Sequence, residues 1–317
     1  MNSQTEIARR VDEGRPVGTK HISVCICTYK RPQLLERLLN DLRNQQTEGL
    51  FTYSIVVADN DSLRSSEAVV SEFAARSSVS VTYCVQPKQN ISLTRNEAIA
   101  NSRGDFIAFI DDDEFASERW LLTLFRAWQQ YDVDGVLGPV KCHFDEEPPQ
   151  WVVKGRFYER PTYPTGHMIH WTQGRTGNVL LKKDLFAGLE MPFSPDFHRA
   201  GDQDFFRRMI EKGHKFVWCD EAVAYEVVPP SRWTRSFMMK RALLRGTIGM
   251  QHRSRSERWG RIGKAVVALP AYTLALPFSL LFGHHVFMKL LIKSLDHAAG
   301  LMAIVGLKPV SNQLLTD

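Results

Sequence analysis

Three consecutive aspartates, Asp111, Asp112 and Asp113, follow directly after the apolar segment FIAFI (106–110). Neighbouring carboxylates repel one another, so this arrangement is unfavourable unless a cation lies close by. In an extended segment Asp111 and Asp113 point to the same side, because side chains alternate along a strand. Carboxylates at that spacing suit Mg²⁺ or Mn²⁺, which proteins hold with one or two carboxylates and the phosphates of a ligand. We therefore expect a divalent cation here, bridging to a diphosphate.

Polar side chains also follow two other apolar segments. TYKRP (28–32) ends the first of them and DND (59–61) ends the second. Open parallel sheets bind ligands beyond the carboxyl ends of their strands, where all three polar segments would meet. A single aspartate at such a position can equally cap a helix or stabilise a turn. The three segments together favour a ligand site.

The elements that must position these residues alternate along the first half of the chain. Predicted strands cover 21–29, 53–60, 79–86, 105–113 and 134–142, and predicted helices cover 31–45, 65–76, 92–102 and 117–131. Ser117 can cap the start of the last of these helices. Strands alternating with helices are typical of an α/β domain, with a mostly parallel sheet flanked by helices.

The next part of the chain reads differently. Residues 145–176 are rich in proline and aromatic residues, which predicts loops and short strands over the sheet edge. A strand is predicted to begin within 178–186, and residues 202–226 predict a helix, a turn at Gly213 and a further strand.

Positive charge is concentrated near the C-terminus. The chain of 317 residues has a formal net charge of +5, yet residues 231–264 hold ten Lys or Arg against the single acid Glu257. Such asymmetry indicates an anionic partner. We expect no nucleic-acid partner, because no platform of stacking aromatic side chains accompanies the basic residues.

An apolar segment follows the basic one. Residues 265–288 contain no Asp, Glu, Lys or Arg and are long enough to cross a bilayer, although Pro270, Pro277 and Gly283 interrupt them. An ordinary helical subdomain is the alternative interpretation. A basic flank beside an apolar segment favours association with an anionic membrane surface, through interfacial or re-entrant helices.

The N-terminus and the cysteines indicate the compartment. Residues 1–20 form a polar tail without the apolar region of a secretory signal, so we expect the chemistry to take place in the cytoplasm. The five cysteines include no CxxC pair, and we expect them to be reduced core residues.

Six segments occur in an order that resembles family 2 glycosyltransferases with the GT-A fold. They are VCICTYKRPQLLERLL, VVADNDS, NISLTRNEAIANSRGDFIAFIDDDE, GRTGNVLLKK, GDQDFFRRM and EAVAYEVVPPSR. The resemblance covers about residues 21–230, with a nucleotide-binding half over 21–144 and an acceptor half over 145–230. It implies a Rossmann-like sheet and inverting transfer of a sugar from a nucleotide-diphosphate donor, most commonly a UDP-sugar.

The remaining residues, 231–317, resemble the membrane-associating tails of family members that build bacterial surface polysaccharides. This implies a lipid-linked or other glycan acceptor and a location at the cytoplasmic face of the bacterial inner membrane.

The resemblance also implies roles for individual residues. Those expected to bind the nucleotide are Thr28, Tyr29, Arg31, Asp59, Asp61, Arg95, Asn96 and Asp111. Asp113, with Asp111, would bind Mn²⁺ or Mg²⁺, and Asp112 would be structural. Arg175, Gly177 and Asn178 would contact the donor sugar or the acceptor. The basic segment offers Arg241 and Arg245, with Arg232 and Lys240, as cations for the diphosphate.

The catalytic base is expected in the segment GDQD (201–204). Inversion by a single displacement needs a carboxylate that takes the proton of the acceptor hydroxyl. The family pattern places Asp202 in this role, with Asp204 as the second candidate. These acids could also simply cap the helix that follows.

One position departs from the family. Many relatives carry a metal-binding histidine directly after the Tyr-Glu pair that here is Tyr225-Glu226, but Val227 stands at that position. His198 and His214 are alternatives that no spacing requires. The third metal ligand therefore stays open.

Two other functions fit parts of the sequence. A nucleotidyltransferase would use a glycine-rich phosphate loop after the first strand, and CTYKRP contains no glycine. A non-catalytic membrane-bound scaffold would not need Asp59, Asp111, Asp113 and Asp202 together.

Overall fold

A computed structural model describes residues 18–196, 201–251, 255–307 and 309–310. The described chain forms two compact units, one from residues up to 141 together with 160–226, the other from 142–159 and 227 onward. The predicted domain boundary at 230 lies close to the observed one, but residues 142–159 belong to the second unit. Of the predicted polar tail, residues 1–17 lie outside the described residues.

The strands and helices, in chain order, have the following bounds. The strands are β1 (Lys20–Thr28), β2 (Phe51–Asp59), β3 (Val81–Val85), β4 (Phe106–Phe109), β5 (Glu114–Ala116), β6 (Gly135–Leu137), β7 (Val140–His143), β8 (Val179–Lys182), β9 (Phe216–Trp218) and β10 (Ala224–Val227). The described helices are α1 (Pro32–Leu42), α2 (Glu67–Arg76), α3 (Ile91–Ala100), α4 (Trp120–Tyr131), α5 (Gln150–Gly155), α6 (Gly201–Glu211), α7 (Arg235–Gln251), α8 (Arg255–Ser279) and α9 (His284–Ile304).

The first unit is built on a seven-stranded sheet of order β3-β2-β1-β4-β8-β6-β9. Strand β8 runs antiparallel to both its neighbours, whereas the other pairs described are parallel. The predicted mostly parallel sheet flanked by helices is thus confirmed. A second sheet holds three short strands in the order β5-β10-β7.

The two faces of the large sheet carry separate apolar cores. Helices α1, α2 and α4 pack on one face, where Ile22, Val24 and Ile26 alternate along β1. Helices α3 and α6 cover the other face, against residues such as Cys25 and Val56. Buried parallel strands need apolar side chains on both sides, which is why β1 and β2 read as nearly continuous apolar segments.

Helix α1 shows how local sequence sets these elements. Pro32 occupies the first turn, where its missing N–H costs no hydrogen bond. Leu35, Leu38, Leu39 and Leu42 recur at helical spacing and are all buried. The apolar face of the helix is therefore the face that packs on the sheet.

Two predicted elements were wrong in detail. The strand expected over 134–142 is divided into β6 and β7, which lie in different sheets, because Pro139 cannot donate to a ladder. Ser117 does not cap α4 with its side chain; the helix begins after Arg119, and the Ser117 carbonyl accepts from Trp120 N at 3.0 Å.

None of the five cysteines, all of which lie in described parts of the chain, forms a disulfide; Cys25 and Cys219 are buried, and the other three are half-buried. In the second unit, Val152, Val228, Trp233 and Met238 form a small core. Helices α7 and α9 approach closely at Gly246, where an added methyl group would lie 2.2 Å from the Asp296 carbonyl oxygen. A larger side chain at Gly246 would therefore force the two helices apart.

The apolar segment predicted from sequence forms a helical stretch, Arg258–Phe282, long and apolar enough to cross a membrane. Its most apolar window has a mean hydropathy of 1.9, and only 11% of that window is buried. The large side chains exposed on it and at its end are Trp259, Val266, Val267, Leu274, Phe278, Leu280, Leu281 and Phe282. So much contiguous exposed apolar surface is unusual for a protein that meets only water.

Candidate active site

The four acids 111–114 form a turn rather than the end of a strand. Strand β4 stops at Phe109, so the strand predicted to run through Asp113 was too long. Asp111 O accepts from Glu114 N at 3.0 Å, and Asp111 N donates to Glu114 Oε2 at 3.2 Å. These two bonds close the turn and direct the chain into β5.

Asp112 is the structural member of the group, and its partners are residues expected at the nucleotide. Thr28 Oγ1 donates to Asp112 Oδ2 at 2.8 Å, and Arg31 Nη1 donates to Asp112 Oδ1 at 3.2 Å. Burial raises the pKa of Asp112 to about 7, against the opposing effect of the Arg31 charge. Asp112 therefore joins the end of β1 to the acidic turn.

Asp113 shares the same arginine. Arg31 Nη1 lies 3.1 Å from Asp113 Oδ2, so one guanidinium group bridges two adjacent carboxylates. This contact holds Asp113 in place beside the carboxyl end of β1. Tyr29, also expected at the nucleotide, is half-buried, and Lys30 Nζ lies 5.2 Å from the centre of its ring.

Asp111 and Glu114, like Asp112, have raised pKa values. Burial raises the pKa of Asp111, and the charge of Asp113 adds to this while Arg95 and Arg160 oppose it. Burial also raises the pKa of Glu114 well above its usual range, reinforced by Asp111 and Asp113. A methyl group at Gly177 would lie 2.8 Å from Glu114 Oε1 and 3.0 Å from Asp111 Oδ2. Only glycine lets the backbone of the RTGN segment approach these carboxylates so closely.

These residues fit a divalent cation whose coordination is completed by the phosphate oxygens of a ligand. In the part of the chain that the structure describes, no group of three or more His, Cys, Asp or Glu is arranged to hold a metal by itself. The carboxylates of the half-buried Asp111 and the buried Asp113 nevertheless lie close enough for the charge of Asp113 to raise the pKa of Asp111. That chemistry matches Mg²⁺ or Mn²⁺, which keeps waters and takes phosphate oxygens besides one or two carboxylates.

Asp59, at the end of β2, organises a neighbouring loop. Its carboxylate accepts from Asp61 N at 3.0 Å, Ser66 N at 2.9 Å and the Tyr83 hydroxyl at 2.8 Å. Asp61 in turn accepts from Leu63 N at 3.1 Å. Asp59 is fully buried, and the role of both aspartates at the nucleotide base stays a prediction.

Asn60 was missed by sequence reasoning, although it stands between the two expected aspartates. Asn60 Nδ2 donates to the Gln86 and Lys88 carbonyls at 2.8 and 2.9 Å, and its Oδ1 accepts from Asn90 N at 2.9 Å. Asn60 thus ties the loop after β2 to the start of α3, whose cap is Asn90.

Helix α3 carries Arg95 and Asn96. Arg95 stacks over the Phe193 ring with its guanidinium carbon 5.7 Å from the ring centre, and its charge acts on Asp111. Asn96 clamps the Phe193 backbone, donating to its carbonyl at 2.8 Å and accepting from its N–H at 2.9 Å. Arg95 therefore faces the acidic turn, while the Asn96 side chain holds the loop before α6.

The two acids of GDQD have different surroundings. Asp204 is buried and paired with Arg207 at 3.0 Å and Arg208 at 2.8 Å. Asp202 is half-buried, and its carboxylate accepts from the N–H of its neighbour Gln203 at 2.9 Å. Of the two, Asp202 has the less occupied carboxylate.

The side chain of Asn178 forms hydrogen bonds within the protein and is not exposed to a ligand. It is completely buried, with Nδ2 donating to the Pro139 and Ala222 carbonyls at 2.8 and 2.6 Å. Its Oδ1 accepts from Trp120 Nε1 at 2.7 Å. Its φ of +59° is a conformation that asparagine tolerates better than most residues. The RTGN segment can therefore meet a sugar through Arg175 and the backbone.

His214 does not lie at the acidic turn. His214 Nδ1 lies 3.3 Å from Asp134 Oδ2, before β6 at the amino-terminal edge of the sheet, opposite the acidic turn. His198 lies outside the described residues.

A sequence model of glycosyl transferase family 2 matches residues 23–186, which include β1 through the acidic turn to β8. The chain belongs to glycosyl transferase family 2. Among curated relatives of this glycosyltransferase, the succinoglycan biosynthesis protein ExoM of Rhizobium meliloti (strain 1021) is 34% identical over 234 residues. That alignment covers 73% of the present chain and 74% of ExoM.

Solved structures show the same fold. The mannosyltransferase PcManGT from Pyrobaculum calidifontis, in complex with GDP-Man and Mn²⁺, superposes with a TM-score of 0.61 at 16% identity, over 95% of this chain and 93% of that chain. S. aureus TarS 1-349 in complex with UDP-GlcNAc superposes with a TM-score of 0.50 at 15% identity, over 90% and 92% of the two chains. The GT-A class expected from sequence is confirmed.

Two cations predicted for the diphosphate lie on α7 of this glycosyltransferase, in the second unit. Arg241 packs over the Tyr158 ring at 5.8 Å, and Arg245 Nε lies 2.9 Å from Asp296 Oδ1. Both side chains have partners within their own unit. Their proposed contact with a diphosphate stays a prediction.

Proposed function

We propose that this glycosyltransferase inverts the anomeric centre of a sugar as it moves it from a nucleotide-diphosphate donor to an acceptor hydroxyl. The carrying observation is the acidic turn at the carboxyl end of β4, which places Asp111 and Asp113 beside one another and beside the end of β1. Membership of the family argues against the nucleotidyltransferase and scaffold interpretations.

The donor side of the site comprises the turn and the ends of β1 and β2. Asp111 and Asp113 would hold Mn²⁺ or Mg²⁺, whose charge offsets the negative charge of the leaving diphosphate. Asp59 and Asp61 would bind the base, with Thr28, Tyr29, Arg31, Arg95 and Asn96 shaping the pocket. A UDP-sugar is our proposed donor; the TarS structures contain UDP and UDP-GlcNAc, although PcManGT contains GDP-Man.

Asp202 is the proposed general base. Its half-buried carboxylate can accept the proton of an acceptor hydroxyl as that oxygen attacks the sugar. Asp204 is ion-paired with two arginines that occupy its carboxylate, which favours Asp202 for the role. Arg175 and Gly177 would meet the sugar or the acceptor beside it.

The acceptor is proposed to be a lipid-linked glycan at the cytoplasmic face of the bacterial inner membrane. The exposed apolar stretch of α8 and the basic residues that precede it support this location. The similarity to a succinoglycan biosynthesis protein supports a role in surface polysaccharide synthesis.

A screen of UDP-, GDP- and dTDP-sugars with Mn²⁺ tests the proposal. We expect a UDP-sugar to raise the melting temperature and to release UDP when a suitable glycan acceptor is added. If no nucleotide sugar stabilises the protein with Mn²⁺ or Mg²⁺, the proposed donor class is wrong.

A further inference from the structure

Two glutamates face each other beside the acidic turn. Strands β5 and β10 are antiparallel, and their register places Glu226 directly opposite Glu114. Residues directly opposite in an antiparallel pair share one face of the sheet, with Cβ atoms about 5 Å apart. Glu226 therefore adds a further carboxylate to a group that already contains Asp111 and Glu114.

Arg160 neutralises this additional carboxylate. Its guanidinium group forms an ion pair with Glu226, with side chains 31% and 17% exposed. Because Glu226 lies directly opposite Glu114, this ion pair brings Arg160 beside Glu114. Arg160 thus lies at the acidic turn, on a loop to which sequence reasoning had assigned no role.

A second arginine approaches the first. Burial and the nearby charge of Arg160 lower the pKa of Arg175, while Asp202 and Glu226 favour its charged form. Two like charges held close together cost free energy unless an anion lies between them or beside them. A diphosphate held through the divalent cation at Asp111 and Asp113 would be such an anion.

We propose that Arg160 binds the diphosphate of the sugar donor, and that Glu226 holds Arg160 in position when no donor is present. The inference rests on the proposed function, because it requires a nucleotide-diphosphate donor at the acidic turn. Guanidinium groups match phosphate oxygens with two parallel hydrogen bonds, which a lysine cannot reproduce. In the transition state the same contact would stabilise the charge that develops on the leaving diphosphate.

Arg160 can move from Glu226 to the diphosphate because both side chains of the ion pair are partly exposed. A partly exposed ion pair contributes little net free energy, so Arg160 can leave Glu226 at small cost. Once it does so, Glu226 stays beside a cluster whose charge the divalent cation and the donor have changed.

Calorimetry with UDP, inorganic pyrophosphate and uridine tests the proposal, in the presence of Mn²⁺. We expect Arg160→Gln to weaken binding of UDP and of pyrophosphate about tenfold or more, and to leave uridine binding unchanged. Arg160→Lys should recover only part of the loss. Arg156→Gln, at an exposed arginine paired with Glu159, is the matched control and should bind all three probes like the wild type.

Glu226→Gln separates this role from a merely structural ion pair. Releasing Arg160 should tighten UDP binding about two- to fivefold, whereas unchanged or weaker binding overturns the holding role. The double variant Arg160→Gln/Glu226→Gln removes both charges of this ion pair at once, and its melting temperature shows whether it folds. It should still lose pyrophosphate binding, and retained binding overturns the proposal.

The probes also distinguish failure of the proposed donor from failure of the proposed role of Arg160. If the wild type does not bind UDP, the proposed donor is wrong. If the wild type binds UDP and pyrophosphate but Arg160→Gln binds both equally well, the role of Arg160 alone is wrong.

Discussion

The four acids of the turn 111–114 have different partners, and their roles follow from those partners. Asp112 is occupied by Thr28 and Arg31, so it joins two segments. Glu114 closes the turn through the Asp111 N–H. Asp111 and Asp113 are the members that we propose for a cation and its ligand phosphates.

Replacing Asp113 tests its metal role. Asp113→Asn preserves shape but removes the charge, so we expect Mn²⁺-dependent UDP binding to fall at least tenfold in calorimetry. Glu36→Gln, an exposed acid on α1, is the control and should bind normally. Unchanged Mn²⁺-dependent binding by Asp113→Asn would contradict the assignment.

The pair Asp202 and Asp204 gives a second prediction. Asp202→Asn should bind the donor normally but lose about 10²–10⁴-fold in transfer rate, the usual contribution of a general base. Asp204→Asn should instead lower the melting temperature, because two arginines lose their partner. Near-normal transfer by Asp202→Asn, measured by release of UDP, would move the role of base to Asp204.

At the scale of elements, the site depends on segments that join strands far apart in sequence. Asn178 connects α4, the break between β6 and β7, and the residues before β10 through three hydrogen bonds. Gly138 lies in the same place, where a methyl group would be 2.2 Å from the Ala222 carbonyl oxygen. The backbone of RTGN is therefore held from several sides.

Asn178→Asp should destabilise the protein by about 2–4 kcal/mol, because two buried carbonyls lose their donor and face a carboxylate. Urea unfolding measures the change in the free energy of unfolding. Asn40→Asp, at an exposed position on α1, should have little effect. If Asn178→Asp unfolds like the wild type and only loses activity, the side chain has a direct role in sugar binding.

Asp134 stabilises the opposite edge of the sheet in a pH-dependent manner. Burial raises its pKa, but the Lys215 N–H, Lys182 and His214 outweigh this and hold the pKa below its usual range. Since the folded-state pKa is lowered, this stabilisation is present above the unfolded-state pKa of about 4 and is lost as the pH falls through the folded-state value.

Asp134→Asn should therefore lower the free energy of unfolding at pH 7, and the difference from the wild type should shrink below about pH 4. Urea unfolding at several pH values measures this. A difference that is the same at all pH values would show that the charge of Asp134 is not the stabilising feature.

At the scale of the whole molecule, the first unit contains the candidate active site and the second unit exposes apolar surface. Leu281 and Phe282 are 82% and 73% exposed at the end of the apolar stretch. Burying a leucine side chain contributes roughly 2 kcal/mol, so a few such residues can hold a protein at a bilayer.

Leu281→Glu should reduce binding to vesicles of phosphatidylethanolamine and phosphatidylglycerol about tenfold or more in a flotation assay. Gln150→Glu makes the same change of charge at an exposed polar position and should bind like the wild type. A wild-type protein that stays entirely in the soluble fraction would reject membrane association.

The sequence by itself determined the class of fold and predicted the place of the candidate site. Apolar periodicity and polar strand ends are local signals, and they were enough to predict an α/β sheet with a ligand edge near Asp59 and Asp111. They also predicted the apolar helix after residue 264. Local signals did not predict the strand ends correctly, because the turn of 111–114 and the break at Pro139 depend on partners distant in sequence.

Only the tertiary structure decided which polar side chains are free to act. Asn178 and Asp204 look like functional residues in the sequence, but contacts with distant carbonyls and with arginines on the next helical turn occupy them. Arg160 carries no local signal, and the position of Glu226 opposite Glu114 comes from the register of β10 against β5. Hydrogen bonds and ion pairs join residues as many as 105 positions apart, and no pattern along the chain records which partners meet.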